Sequence, residues 1–332
     1  MTERMAVKAV KTLIEGALVR SNVSKANAAS VARALLAAEL AGQTGHGLRR
    51  VEAYSAQARA GKVKGHATPT AEAKRPAALA IDAAYGFAYP ALDLVVERLP
   101  DMALANGIAM AGIRRSHHCG VAGATVERFA HEGLVALMFA NAPAAIAPWG
   151  GRTPLFGTDP IAFAAPLAGD EPIVIDVSLS KVARGKLMAA KQKGEPIPEG
   201  WALAPDGSPT TDPATGMAGT MVPMGDAKGA TLAIMVEMLC AGLTGGNYAF
   251  EATSFFDAEG DPPGVGQLLI AIDPGAFGVN ATARFTSLAH AILGVEGARL
   301  PGHRRHVLRA EYERDGVPVD AALIGAIERI GR

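Results

Sequence analysis

"IRRSHHCGVAGATVERFA", from Ile113 to Ala130, runs from a β-prone stretch through two adjacent histidines and a cysteine into a Gly-x-x-Gly turn that opens a helix. Upstream, "IAMAGIRR" reads as a strand, and "ATVERFAHEG" has helical period. The turn has two readings. It is a polar surface turn, or it is the floor of an active site, where N–H groups at a helix start favour an anion such as a cofactor phosphate. An imidazole placed there suits contact with a nicotinamide. Metal binding by His117 and His118 is disfavoured, since neighbouring side chains rarely converge on one ion without a third ligand.

Outward from this stretch, helices and strands stay mixed. Toward the N-terminus, Ala6–Arg20 carries apolar residues at helical spacing, and a second helix follows with Ser24 as N-cap and Gly42 as stop. A third amphipathic segment runs from about Arg50 to Arg59, ending near Gly61. "ALAIDAA" from Ala78 alternates as a strand, and "DLVVERLPDMALANG" reads as a helix despite Pro100. Downstream, "LVALMFA", "IAFAAP", "EPIVIDVS" and "GQLLIAID" are β-prone, the last a fully buried strand. "VARGKLMAAKQKG" and "KGATLAIMVEMLCAGLTGG" return to helical period, and helices are expected near Phe277–Leu293 and Val317–Ile330. Lys193–Gly216 is a long loop rich in Pro, Gly and Asp. The expected class is α/β, mixed α+β.

Composition narrows the function. Of 332 residues, 49% are hydrophobic, enough for a sizeable core, and Lys plus Arg equals Asp plus Glu at 32 each. No net field draws the chain to nucleic acid or a membrane surface. With 10 Phe, 5 Tyr and 2 Trp, the basic, aromatic-interleaved surface of a nucleic-acid binder is missing too. The run Gly133–Gly151 carries no charge, but Asn141, Pro143 and Pro148 break it as a membrane span. Cys119 and Cys240 give neither a disulfide framework nor zinc spacing, and the N-terminal residues lack the apolar core of a signal peptide, so the expectation is a soluble cytoplasmic protein.

Familiar cofactor motifs fail. Gly264-Val265-Gly266 leads to Leu269 and a strand, not to the third glycine and helix of a dinucleotide fingerprint. Gly61-Lys62 and Gly185-Lys186 lack the flanks of a phosphate-binding P-loop.

Four constellations remain. In "TGHGLRRVEAY", from Thr44, His46 lies between two glycines in the bend between helices, with Arg50 a turn away. Imidazole is a proton donor near neutrality, and a guanidinium holds a carboxylate bidentately; the alternative is a solvated loop. The Ser116–Gly120 turn is the second. The third is a pair of strand-edge loops, "PLFGTDPIAFAAP" and "PIVIDVSLSKVARGK": Asp176 suits a ribose hydroxyl, Arg184 and Lys186 a 2′-phosphate. In the fourth, "PMGDAKGATLAIMVEML", Lys228 sits in the first turn of a helix, against the dipole. A bound anion explains that placement, and so does simple solvation.

Taken together, "GHGLRR", "SHHCGVAG", "MFANAPAAIAPWGG", "FGTDPIAFAAP", "GEPIPEGWAL…GSPTTDP", "MGDAKG" and "LPGHRR" resemble, in order and spacing and across almost the whole chain, the type-2 malate/L-lactate dehydrogenase family. That family includes sulfolactate, ureidoglycolate and diketogulonate oxidoreductases and reductases of pyrroline- and piperideine-2-carboxylate. The resemblance implies a non-Rossmann mixed-sheet core that binds NAD or NADP, and a homodimer. It implies His46 as proton donor, Arg50 as the carboxylate anchor and His118 as the second catalytic histidine, at the nicotinamide side. His118, Gly120, Thr158, Asp176, Ser178, Lys228 and Arg304 fall where the family holds its cofactor. The implied division is an N-terminal helical lobe at 1–75 with the substrate His and Arg, a cofactor-binding core at 76–300, and a C-terminal helical segment at 301–332 packing back on the first lobe.

Some positions depart from the pattern. Gly45 stands where many members have Ser, and Lys186 falls near an Asp that imino-acid reductases pair with that Ser and the His. "GTDP" replaces "GTNP", "GDAKG" replaces "GGxKG", and His303 takes the place of an acidic residue. The expected function is therefore hydride transfer between a nicotinamide and a small anionic 2-hydroxy or 2-oxo acid. Reduction of cyclic imino acids is the alternative, and a small-molecule binding protein without turnover is a third reading from another class.

Overall fold

The structure, a computed structural model, describes residues 2–278 and 280–332. It opens on a short strand, β1 (Thr2–Met5), and three helices, α1 (Val7–Arg20), α2 (Lys25–Leu40) and α3 (Val51–Ala60). Then follow β2 (Thr70–Arg75), β3 (Ala78–Asp82), α4 (Ala88–Asn106), β4 (Ile108–Ser116), α5 (Ala122–His131), β5 (Val135–Ala140), β6 (Ile161–Ala165), β7 (Ile173–Val177) and α6 (Arg184–Lys193). The Pro/Gly-rich stretch, read as a loop, and the residues just after it hold β8 (Ala202–Leu203), β9 (Pro209–Thr210), α7 (Pro213–Ala218) and β10 (Thr220–Met221), whose strands form a small three-stranded sheet. The chain closes with α8 (Ala227–Glu237), β11 (Val265–Ile272), α9 (Ala281–Leu293), α10 (His303–Asp315), β12 (Val317–Asp320) and α11 (Ala321–Arg329).

Seven strands form the central sheet in the order β2-β3-β4-β11-β5-β6-β7. β3 and β4 run parallel, and the other neighbours run antiparallel. β11, the strand read from "GQLLIAID", is the middle of the sheet and buried along most of its length. Its side chains alternate between two cores: Leu269 and Ala271 face the larger one, Leu268 the smaller. The larger-core face of the sheet is built from small residues, Ala109, Ala111, Ala136, Ala140, Ala162 and Ala164. Small side chains there let α4 and α5 lie close to the strands, so the alanine-rich composition is a packing requirement. α8 and the five-residue π turn after it, Met238–Gly242, cover the opposite face through Val236 and Cys240.

The N-terminal helices form as read. Ser24 caps α2 by accepting from the Asn27 N–H, and Gly61 closes α3 in the left-handed region at φ 79°. α4 passes through Pro100 without ending. Two expectations change at the C-terminus. The helix read near Val317–Ile330 begins only at Ala321; the first four residues alternate buried Val317 and Val319 with Pro318 and Asp320 and pair antiparallel with β1. Asp320 then caps α11 through the Ala322 N–H. Of the helix read near Phe277–Leu293, Val279 lies outside the described residues, and the helix starts at Ala281. One apolar cluster runs from Val10 through the sheet to Ile327, so the ends of the chain share a core with its middle.

Among the described residues, no helix is long and apolar enough to cross a membrane.

Candidate active site

The bend between α2 and α3 is two consecutive 3-10 turns, Thr44–His46 and Leu48–Arg50, hinged at Gly47. Glu39, buried in the last turn of α2, sets the hinge: its Oε1 accepts the Leu48 N–H at 2.6 Å. A Cβ on residue 47 would stand 2.3 Å from that oxygen, so glycine is what admits the carboxylate beneath the loop. Burial pushes the Glu39 carboxyl up to about 7, against the pull of the Leu48 N–H and of Arg49. The bend therefore delivers His46 and Arg50 from one compact loop.

His118 meets them from the other side. β4 ends at Ser116, and the loop behind it turns the two histidines in opposite senses. His117 goes inward, 1% exposed, among the rings of Tyr54, Phe87 and Phe255, and neither of its ring nitrogens finds a partner among the described residues. His118 turns toward the bend and stacks on His46, ring centroids 5.2 Å apart and planes 17° from parallel. Its Nδ1 lies 2.6 Å from the Tyr54 hydroxyl, which lies 3.1 Å from the hydroxyl of Tyr89. Burial, aided by the positive Arg50, pushes His46 down from 6.5 to about 4 and His117 to about 3; the same causes hold His118 well below its ordinary value. Both stacked rings are neutral at pH 7.

Arg50 is 8% exposed. Its Nε donates to the Gly45 carbonyl at 2.9 Å, and its Cζ lies 4.6 Å from the centre of the Phe256 ring. Among the described residues no carboxylate pairs with it. The loop carrying Phe255 and Phe256 is clamped to the first helices by Gln57, which donates to the Asp257 carbonyl, and by buried Lys62, whose Nζ lies 2.8 Å from the Asp257 carboxylate.

A second group of expected residues gathers at the strand ends. Asp176, near the end of β7, accepts the Gly123 N–H at 2.8 Å, so the start of α5, read as an anion site, is occupied by the chain's own carboxylate. Burial raises that carboxyl, opposed by the Gly123 N–H and by Arg305. Ser178 donates to the Thr158 carbonyl and shares a hydrogen bond with Ser180. The Leu179 N–H also reaches Thr158, and the Met224 N–H reaches Leu179, which ties the start of α8 and its exposed Lys228 to the same edge. Arg184, half-buried at the start of α6, donates to the Ala144 carbonyl at 2.9 Å. Gly120, at φ 69°, joins the two groups: a Cβ there would stand 2.6 Å from the Tyr89 hydroxyl. Arg304 is exposed on α10, and its neighbour Arg305 is the one buried near Asp176 and Gly123.

The His117–Gly123 segment thus touches both groups of polar side chains, each of which holds cations without carboxylate partners among the described residues. The family model described as malate/L-lactate dehydrogenase matches residues 5–328. The chain belongs to that family. It is 52% identical to the (2R)-3-sulfolactate dehydrogenase (NADP(+)) of Chromohalobacter salexigens, covering 94% of this chain and 93% of that one. It is 40% identical to a Delta(1)-pyrroline-2-carboxylate/Delta(1)-piperideine-2-carboxylate reductase of Pseudomonas putida, over 97% of this chain and 95% of that one. The solved delta1-piperideine-2-carboxylate reductase of Pseudomonas syringae superposes with a TM-score of 0.94 at 37% identity, covering 99% of this chain and all of the other. This member of the malate/L-lactate dehydrogenase family is an oxidoreductase.

Several functional contacts escaped the sequence reading. Tyr54 carried a signal, being one helical turn beyond Arg50 on α3. Tyr89, Phe256 and Glu39 come from distant segments and carried none. The buried carboxyl pair of Asp159 and Glu237 was visible only as the departure "GTDP".

Proposed function

We propose that this chain transfers a hydride between a nicotinamide cofactor, NADP or NAD, and C2 of a small 2-hydroxy or 2-oxo acid of the sulfolactate, malate or lactate type. One observation carries the reading: Arg50, a buried guanidinium with no carboxylate of its own among the described residues, opens beside two stacked neutral imidazoles. A buried cation left uncompensated is costly, and a substrate carboxylate supplies the missing charge. The relative at 52% identity acts, by its name, on a sulfonated 2-hydroxy acid with NADP(+), which favours a substrate with a second anionic group.

Arg50 anchors the carboxylate and fixes the substrate against the imidazole pair. In reduction, negative charge gathers on the substrate oxygen, and His46, protonated once the substrate carboxylate offsets the Arg50 charge that otherwise helps keep it neutral, delivers a proton to it, a role contributing about 10²–10⁴-fold. In oxidation, neutral His46 takes the hydroxyl proton. Bound nicotinamide provides the hydride chemistry that side chains lack. Gly120, Thr158, Asp176, Ser178, Arg184, Lys228 and Arg304 are the residues proposed to hold it. The donor set fits a phosphorylated dinucleotide, because Arg184, Lys228 and Arg304 carry charge with no carboxylate partner among the described residues. The cofactor would lie at the ends of a mixed sheet, outside any Rossmann unit, with residues 1–75 as the substrate lobe, 76–300 as the cofactor core and 301–332 packing back on that lobe. Exposed Leu232, Met235, Met238 and Leu243 on and after α8 give a homodimer its surface, and two free, buried cysteines suit a cytoplasmic enzyme.

Reduction of cyclic imino acids is the second reading, favoured by the relative at 40% identity. The test is one panel: sulfolactate, malate, lactate and their oxo acids against pyrroline- and piperideine-2-carboxylate, with both cofactors, followed by nicotinamide absorbance. Turnover of the oxygen acids is expected. Turnover confined to the imines would replace the main reading.

A further inference from the structure

Among the described residues, His118 has one hydrogen-bond partner, and that partner has one more. Tyr54 is fully buried, with its hydroxyl 2.6 Å from His118 Nδ1 and 3.1 Å from the Tyr89 hydroxyl. Tyr89 is 5% exposed, and its hydroxyl has no other partner among the described residues. Gly120 packs against that hydroxyl so closely that no side chain fits between.

Three polar groups in line share their hydrogens in one of two ways. In the first, Tyr89 donates to Tyr54 and Tyr54 donates to Nδ1, so both hydroxyl hydrogens are met, and the ring hydrogen sits on Nε2 of the half-buried ring, where solvent or a ligand can accept it. In the second, Nδ1–H donates to Tyr54 and Tyr54 donates to Tyr89, which leaves the Tyr89 hydrogen buried with no acceptor among the described residues. An unmet buried donor costs about 1–3 kcal/mol. The first arrangement therefore prevails. It makes Nδ1 an acceptor and places the hydrogen of neutral His118 on Nε2.

We propose that Tyr54 and Tyr89 are positioning residues that lock His118 as a neutral Nε2–H donor, leaving the proton transfer itself to His46. The proposal rests on the oxidoreductase reading only for its catalytic consequence; the tautomer is a property of the protein alone. Protonating Nδ1 would reverse the whole line and strand the Tyr89 hydrogen. The positive Arg50 and the stacked His46 ring disfavour a second charge at the same place. His118 thus keeps its hydrogen and presents it, while His46, whose Nδ1 has no partner among the described residues, exchanges its own.

The test is ¹⁵N–¹H correlation of the imidazole nitrogens in the full-length protein, with His118→Gln to assign the signals, beside Tyr54→Phe and Tyr89→Phe. Wild-type His118 is expected as a single Nε2–H tautomer that stays unprotonated well below the ordinary histidine value of 6.5. Tyr54→Phe should give mixed tautomers, with Tyr89→Phe in between. On the accepted substrate, kcat should fall roughly 10–100-fold in Tyr54→Phe, the scale on which losing an outer partner of an orienting histidine acts in metal sites. An Nδ1–H signal in the wild type overturns the proposal, as does an unchanged tautomer in Tyr54→Phe. If Tyr54→Phe does not fold, the wild-type spectrum and Tyr89→Phe decide the matter. The expected tautomers without turnover of any acid or imine would sink the function and leave the hydrogen-bond line standing.

Discussion

The guanidinium of Arg50 lies against the ring of Phe256, 4.6 Å from Cζ to the ring centre, so a residue far along the chain shapes the cation of the bend between α2 and α3. An aromatic face steadies a cation without neutralising it, which leaves the charge available to a ligand. Arg50→Lys removes the planar fork and its Nε bond to Gly45. Losing a charge-assisted bidentate contact costs about 2–3 kcal/mol, so kcat/KM should fall roughly 30–150-fold, chiefly through KM. Phe256→Leu should raise KM by about 2- to 30-fold, the range of a desolvated cation–π contact. Steady-state kinetics on both variants decides; an unchanged KM in Arg50→Lys removes Arg50 from the substrate site.

His46 sets the pH dependence. Its folded value lies near 4 because burial and Arg50 oppose its charge. In the free enzyme the neutral base persists well below pH 6.5, so kcat/KM for hydroxy-acid oxidation should hold until the pH approaches 4. A bound carboxylate cancels part of the Arg50 field, so the limb in kcat should sit at higher pH than the limb in kcat/KM. His46→Ala should lower kcat by about 10²–10⁴-fold. A single limb near 6.5 in both profiles would contradict the buried, cation-facing imidazole.

Much of this arrangement was legible in the residues. Period and capping placed α1 to α5 and the β-prone runs, because those signals are local. His46 and Arg50 stood out since a histidine between two glycines suits no helix interior. The partners of the site were not legible, because Phe256, Tyr89 and Glu39 arrive through tertiary packing. β12 was misread for a related reason: Val317 and Val319 alternate only over four residues, and the β1 partner that makes them a strand lies at the other end of the chain. α10 was legible only through the resemblance, as part of a helical segment at 301–332, because "HRRHVLRAEYERD" has no apolar face and Arg305 is its one buried residue.

Asp159 and Glu237 form a buried carboxyl pair whose Asp side should weaken the fold at high pH. Asp159 is fully buried; its Oδ1 accepts the Ala142 N–H, and Oδ2 has no conventional donor. Glu237 accepts from Asn141, Ala249 and, at longer range, Gly157. Burial, the neighbouring Glu237 and their shared hydrogen bond hold Asp159 well above the ordinary carboxyl range. Since the folded value is raised, the folded chain keeps a proton that the unfolded chain releases above pH 4. Stability is therefore greatest below that point and declines as pH rises toward the folded value. Asp159→Asn keeps an acceptor for Ala142 and supplies an N–H donor toward Glu237 without a titrating proton. It should raise Tm at pH 8 by about 2 °C or more and shrink the difference in Tm between pH 5 and pH 8. Thermal melts across that range check it; a parallel drop in wild type and variant would show that Asp159 is not the group responsible.

Two glycines flank His46, and they should respond in opposite ways. A Cβ at Gly47 meets the Glu39 carboxylate at 2.3 Å, while a Cβ at Gly45 meets nothing within 4 Å. Gly47→Ala must therefore displace Glu39 or the loop, breaking the Leu48 N–H bond that holds His46 and Arg50 in one bend. A charge-assisted bond of that kind stabilises by about 1.5–3 kcal/mol, and kcat/KM should fall at least tenfold. Gly45→Ser adds a hydroxyl in open space beside His46 and leaves the Gly45 carbonyl free to hold Arg50, so its Tm should stay within about 1 °C of wild type. Its effect should appear in the substrate panel, as a gain of imine reduction relative to oxo-acid reduction. Equal damage from both substitutions would mean that the contact with Glu39 does not set the bend.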